Sequence, residues 1–88
     1  MQYSGFYVRS FEVSSFHPCS SEEQWYAIGE PLTSAYLNCG VRYGDSAYVV
    51  LYGTVSPPGS YGHLGGWDRK FYVSEVFEMR LPQTGDCK

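Results

Sequence analysis

At 88 residues, with 43% hydrophobic and 17% charged side chains, the chain has the apolar material for one small core, which excludes a disordered segment. Its formal net charge of −3 and only six Lys and Arg residues argue against a phosphate-tracking surface, because nucleic-acid affinity rests on clustered cations. No run of about 18 apolar residues is present to span a membrane, and no basic, apolar leader precedes Tyr3, which leaves the compartment open.

Aromatic residues make up 18% of the chain, nine Tyr among them, and Tyr and Phe favour half-buried pleated surfaces. The first predicted strand, GFYVRSFEVSSF (5–16), changes phase: Phe6 and Val8 share one face, Phe11 and Val13 the other. The change falls at Arg9–Ser10, where a β-bulge would bend a long strand as a small barrel requires. HPCSSEEQ (17–24) is a polar break carrying the solvated pair Glu22 and Glu23, and WYAIG (25–29) is a short second strand.

In EPLTSAYLNCG (30–40), Leu32, Ala35, Tyr36 and Cys39 fall at i, i+3, i+4 and i+7, one helical stripe. Pro31 suits the first turn of that helix and Gly40 the position beyond its end. VRYGD (41–45) reads as a turn. SAYVVLYGTV (46–55) is the clearest strand, with Ala47, Val49, Leu51, Gly53 and Val55 on one face and Tyr48, Val50, Tyr52 and Thr54 on the other. Both faces are fairly apolar, so the helix stripe, a partner or a ligand is expected over the second. Gly53 marks a bend or a close backbone approach.

The glycine-rich connection 56–69 leads to KFYVSEVFEMR (70–80), the last strand, where Phe71, Val73, Phe77 and Met79 share a face that Glu75 interrupts. A second bulge that re-aims Glu75 is expected, because an unpaired buried carboxylate is costly. LPQTGDCK (81–88) is a polar tail. Its LPQTG matches the sorting signal of cell-wall transpeptidases, but true signals continue into an apolar span and a basic tail, so a chance match is expected.

The order strand, strand, short helix, strand, loop, strand predicts one mainly β domain over 1–88, with its core in 4–80. The expected architecture is a small oligonucleotide/oligosaccharide-binding-like (OB-like) curled barrel of four or five antiparallel strands with one short helix. The common OB order places the helix after a third strand, so either a further short strand lies within 15–30 or the topology is a variant. The alternative is a four-stranded curled sheet on one helix.

Cys19, Cys39 and Cys87 allow one intramolecular disulfide and match no zinc-ribbon spacing. Cys39 reads as a small core residue, whereas a disulfide involving Cys19 or Cys87 belongs to an oxidising compartment. His17 and Cys19, even joined by His63, leave a ligand set incomplete, so no metal and no other cofactor is expected.

The chemistry concentrates in the 56–69 loop. Pro57, Pro58 and Gly59 stiffen the strand exit, and Gly62, Gly65 and Gly66 permit tight turns. Tyr61 and Trp67 suit stacking on a planar ligand or a sugar face, with His63, Asp68 and Arg69 supplying hydrogen bonds, in a loop position that OB barrels commonly use for binding. The competing reading is a compact loop whose aromatics cover one barrel end. His63 and Asp68 beside Ser56 or Ser60 come without a strained nucleophile turn, an oxyanion-hole sequence or a second acid, so no catalytic residues are expected. On the other side of the sheet, Tyr48, Val50 and Tyr52 form an apolar strand face of the kind that marks an interface, here a homodimer.

Taken together, GFYVRSFEVSSFHPC…EQWYAI and YVVLYGTVSPPGSYGHLGGWDRKFYVSEVFEMR resemble a small domain of bacterial envelope lipoproteins. In that family an F-E-V-S-x-F-x-P-C segment precedes a Trp-containing strand, and a P-P-G-x-Y-G-H-L-G loop precedes a final V-x-E-V strand. The resemblance spans nearly the whole chain. It implies an OB-like barrel and an envelope or periplasmic setting, and no established activity. The functional expectation is therefore a non-enzymatic binding or interaction module that meets an unknown ligand or protein through the 56–69 loop. The alternatives are a structural protein that dimerises through its tyrosine-rich face and a single-stranded nucleic-acid binder, the latter disfavoured by the acidic balance.

Overall fold

The phase change between Tyr7 and Val13 is a hairpin and not a bulge. In the computed structural model, which describes residues 1–11, 13–62 and 65–87, β1 (Gln2–Ser10) ends before Phe11 and the chain returns as β2 (Val13–Pro18). The two strands pair antiparallel, with Ser10 opposite Val13 and Tyr7 opposite Phe16. A tight turn and a bulge both shift a period-2 pattern, and only the pairing across the strands separates them. Tyr7 and Phe16 point inward and are buried, while Phe6 and Val8 are half-buried.

β2 is the additional strand that the position of the helix calls for. After β3 (Trp25–Ile28) come α1 (Glu30–Asn38), β4 (Ser46–Val55) and β5 (Arg69–Arg80). The strands close in the order β1-β2-β3-β5-β4, with β4 pairing back onto β1. The fold is thus a small, mainly β, five-stranded OB-like barrel with one short helix, and not a four-stranded sheet. One pair departs from the antiparallel expectation: β3 and β5 run parallel, Trp25 opposite Arg69 and Ile28 opposite Tyr72. Parallel neighbours require a long crossover, and the segment from Gly29 to Asp68, with α1 and β4 inside it, supplies one.

The helix sends Leu32 and Tyr36 into the barrel interior, where the Tyr36 ring meets Tyr7 edge-on at 5.4 Å. It therefore offers no cover for the outer face of β4. At the other end of the core, Phe16, Trp25 and Phe71 form an aromatic cluster with centroids 5.3–5.8 Å apart, and Tyr3 meets Trp25 edge-on at 5.1 Å. Much of the unusual aromatic content is thus spent inside, where such pairs add about 0.5–1.5 kcal/mol each beyond their buried area. A polar line through the interior is satisfied: Tyr7 Oη lies 2.6 Å from Ser14 Oγ, which donates to the Ala27 carbonyl at 2.5 Å.

Register shifts between β4 and β5 fall on both sides of Glu75, at Val50/Leu51 and Tyr52/Gly53. They leave Glu75 exposed, as expected from the cost of burying it. The same shifts correct the face assigned to β5: Phe77 is turned out to solvent, and Val76 packs against the core in its place. Gly53 sits at one shift, where any Cβ would collide with the Tyr72 carbonyl.

Residues 81–87 are not a loose tail. Arg80 holds the Asp86 carboxylate through both terminal nitrogens, at 2.7 and 3.2 Å, and the Gln83 amide donates to Asp86 at 2.6 Å. Cys87 is then joined to Cys19, their Cα atoms 5.0 Å apart. Cys39 is a free thiol, half-buried against the core. Among the described residues no helix is long and apolar enough to cross a membrane.

Candidate functional site: an aromatic loop and the notch beside it

The loop before β5 is a small hairpin pinned at its base. The Ser56 amide donates to the Lys70 carbonyl at 2.8 Å, and the Lys70 amide returns a bond to Ser56 Oγ at 2.8 Å. Further out, Tyr61 and Trp67 exchange both backbone bonds, at 3.0 and 3.1 Å. The Tyr61 hydroxyl closes back onto the Pro57 carbonyl at 3.1 Å. Gly62, at φ +77°, lies so close to the Trp67 ring that any Cβ would strike it, so glycine is required for both reasons.

Four of the five residues predicted to bind ligand are described, and the structure gives them two different jobs. Asp68 and Arg69 fasten the loop to the start of β3. The Gln24 amide donates to Asp68 Oδ2 at 3.1 Å, and the Asp68 amide donates to the Gln24 carbonyl at 2.9 Å. Arg69 Nε bonds Glu23 Oε1 at 2.8 Å, the same oxygen that accepts from the Trp25 indole at 2.9 Å. The Arg69 hydrogen bond, followed by that of Trp25, holds the Glu23 carboxyl below its ordinary pKa. Tyr61 and Trp67 are the side chains left half-buried at the surface, with the Trp67 ring against Tyr26 at 5.3 Å and an angle of 55°. His63 lies outside the described residues.

Tyr26 continues this surface past the loop. It also lines an open notch of about 220 Å³ at the β1–β2 turn, with Arg9, Ser10, Phe11, Val13, Ser14 and Tyr43. Phe11 is 82% exposed and Tyr43 63% exposed, so two aromatic rings stand at the rim of the same notch. Tyr43 belongs to the 41–45 turn, which is fastened from beneath. The Gly44 amide donates to the Arg9 carbonyl at 2.9 Å, and the buried Tyr36 hydroxyl accepts from the Gly44 amide at 3.2 Å while donating to the Asp45 carbonyl at 2.7 Å.

The notch is absent from the sequence-based expectations. Phe11 was assigned to a continuous strand, and Tyr43 and Tyr26 are brought to it only by barrel closure. The available signal is the phase change itself: a turn after Ser10 puts an aromatic residue, Phe11, at a barrel rim. On the interface face, Tyr48 is partly covered by the chain itself, with the Arg80 guanidinium 4.5 Å above its ring and Phe6 5.9 Å to its side. Val50 is half-buried and Tyr52 exposed.

The remaining clusters are engaged elsewhere. Cys19 sits with His17 beside a second shallow pocket, but its sulfur is bonded to Cys87 and cannot act as a thiolate ligand. No group of three potential metal ligands occurs among the described residues. Ser56 donates its hydroxyl to the Pro57 carbonyl at 2.9 Å, and Asp68 is held by Gln24. Comparison of the chain with family models, with curated proteins and with solved structures gives no match.

Proposed function

We propose that the protein is a non-enzymatic ligand-binding module of the bacterial envelope, and that it binds through Tyr61 and Trp67 of the 56–69 loop together with the outer face of β3. The observation that carries this reading is the Trp67–Tyr26 pair. The loop spends its backbone bonds, Asp68 and Arg69 on holding one tryptophan ring at the surface, beside an open notch rimmed by exposed aromatics. A loop that only capped the barrel would turn that ring into the core, and the core is already filled by Trp25, Phe16 and Phe71. Rigid placement of an aromatic on a barrel loop is how small β folds present a binding surface without a deep cavity.

The Cys19–Cys87 bond supports the envelope setting, since such bonds persist in oxidising compartments. Protein recovered from its native compartment should carry one reactive thiol, Cys39. Recovery with all three cysteines reduced would contradict the setting.

The binding role is tested with Trp67→Ala and Tyr61→Ala. Both are expected to cost no more than about 1 kcal/mol, about 4–8 °C in thermal midpoint, while losing NMR-detected binding of a library of planar and sugar-ring fragments. Variants that lose stability in step with binding would mark a structural cap instead.

A further inference from the structure

The notch and the loop form one surface, because Tyr26 belongs to both: it lines the notch and carries the Trp67 ring at 5.3 Å. Register extends this surface across the sheet, with Tyr26 and Lys70 in one row and Ile28 and Tyr72 in the next. The notch alone, at about 220 Å³, is below the usual 300–1,000 Å³ of a small-molecule pocket and has room for one ring. Stacking surface therefore continues well beyond what a single-ring ligand would touch.

The chemistry of the walls narrows the ligand. Phe11, Tyr43 and Tyr26 offer flat apolar faces, while Arg9 and Ser10 supply hydrogen-bonding groups beside them; the Ser14 hydroxyl, in the floor, is already bonded to Tyr7 and to the Ala27 carbonyl. A lipid chain or an apolar peptide would bury those polar groups uncompensated. A pyranose ring has the matching form, with C–H faces and a rim of hydroxyls.

Charge argues against a polyanion on the same surface. Arg69 is committed to Glu23, and Arg80 to Glu78 and Asp86. Lys70 lies over the Tyr72 ring at 5.4 Å, and in the chain Asp45 follows two residues after Tyr43 and Asp68 directly after Trp67. Arg9 is the one cation among the described residues in the wall of the notch, and it donates to the Tyr7 hydroxyl at 3.2 Å. A phosphate backbone needs several lysines and arginines along its track, and the chain as a whole carries a formal charge of −3.

We infer that the ligand is an uncharged oligosaccharide chain, one ring seated in the notch between Phe11 and Tyr43 and further rings running over Tyr26 to Trp67. This rests on the binding reading above and adds to it the ligand class, a second subsite and a polymeric ligand.

The test is a fluorescence titration with N-acetylglucosamine oligomers and with β-linked glucose oligomers of one to six units, with a single-stranded oligothymidylate as the comparison. Trp25 is 6% exposed, so emission changes on binding report Trp67. Affinity for one of the sugar series is expected to rise at least about tenfold from monomer to tetramer and then level off, unaffected by salt. Phe11→Ser, at an exposed position, should fold normally and reduce the gain from the longer oligomers to about that of the dimer. Equal affinity for monomer and hexamer, failure of both series at millimolar concentration, or tighter, salt-sensitive binding of the oligothymidylate would overturn the inference. Amide NMR on the same samples separates the two levels. If the sugars fail but ring fragments still perturb Tyr61 and Trp67, only the ligand class falls; if nothing perturbs them, the binding reading falls as well.

Discussion

Trp67 rests on Tyr26 with ring centroids 5.3 Å apart, and a glycine makes that contact possible. Gly62 lies against the Trp67 ring at φ +77°. Gly62→Ala is expected to cost about 1–2 kcal/mol from the left-handed backbone alone and to push the indole off Tyr26. The check is a denaturant melt together with the Trp67 emission maximum. An unchanged emission spectrum would show that the ring is not held there by the loop.

The two tryptophans should separate stability from surface chemistry. Trp25 packs within the Phe16–Phe71 cluster, so Trp25→Ala is expected to cost about 3–5 kcal/mol, enough to unfold much of the population. Trp67→Ala forfeits one partly exposed aromatic contact and should cost about 1 kcal/mol. Chemical denaturation of the two variants checks the ranking.

The elements differ in how far they could be read before the structure. β4 has the predicted bounds, and the outward turn of Glu75 followed from the penalty on a buried carboxylate. The β1–β2 hairpin was hidden because a turn and a bulge leave the same local pattern, and only pairing partners distinguish them. The parallel β3–β5 pair and the notch were hidden for a related reason. Trp25 and Arg69, or Phe11, Tyr26 and Tyr43, are far apart in the chain and meet only when the barrel closes. Within the loop, the sequence leaves Tyr61 and Trp67 open between ligand stacking and capping of a barrel end, and nothing local shows that Asp68 and Arg69 would be used to anchor it.

The tail clasp should be redox-dependent. Cys19 and Cys87 are 68 residues apart, and closing a loop of that length contributes about 4 kcal/mol in the chain-entropy description. Cys87→Ser, or reduction of the parent, is expected to lower the stability by up to that amount, read as a drop in the denaturation midpoint. A reduced protein as stable as the oxidised one would show that the bond is not formed in solution.

Tyr36 supports the notch from inside. Tyr36→Phe removes the hydroxyl that accepts from Gly44 and donates to Asp45. Leaving these backbone groups short of partners should cost about 1–3 kcal/mol, and amide exchange should speed up at 43–45 more than at β4. Uniform acceleration would mean that the turn does not depend on Tyr36.

Acid should loosen the loop base and the tail together. Glu23 is held below its ordinary value first by the Arg69 hydrogen bond, and Asp86 first by that of Arg80. A depressed carboxyl stabilises the fold above its unfolded-state value, and that contribution is lost as the pH falls through the lower folded-state value. Stability should therefore hold at neutral pH and decline below about pH 4.5, the ordinary value for Glu23. Glu23→Gln should flatten part of that decline. A Glu23→Gln profile that overlays the parent would remove Glu23 from the account.

The most direct test of a binding surface at Tyr26, Tyr61 and Trp67 is amide chemical-shift mapping with any fragment or oligosaccharide that binds. Perturbations are expected to cluster on the 59–62 and 65–68 segments, on β3 and at Phe11. Perturbations confined to Tyr48, Val50 and Tyr52, or scattered over the barrel, would contradict it.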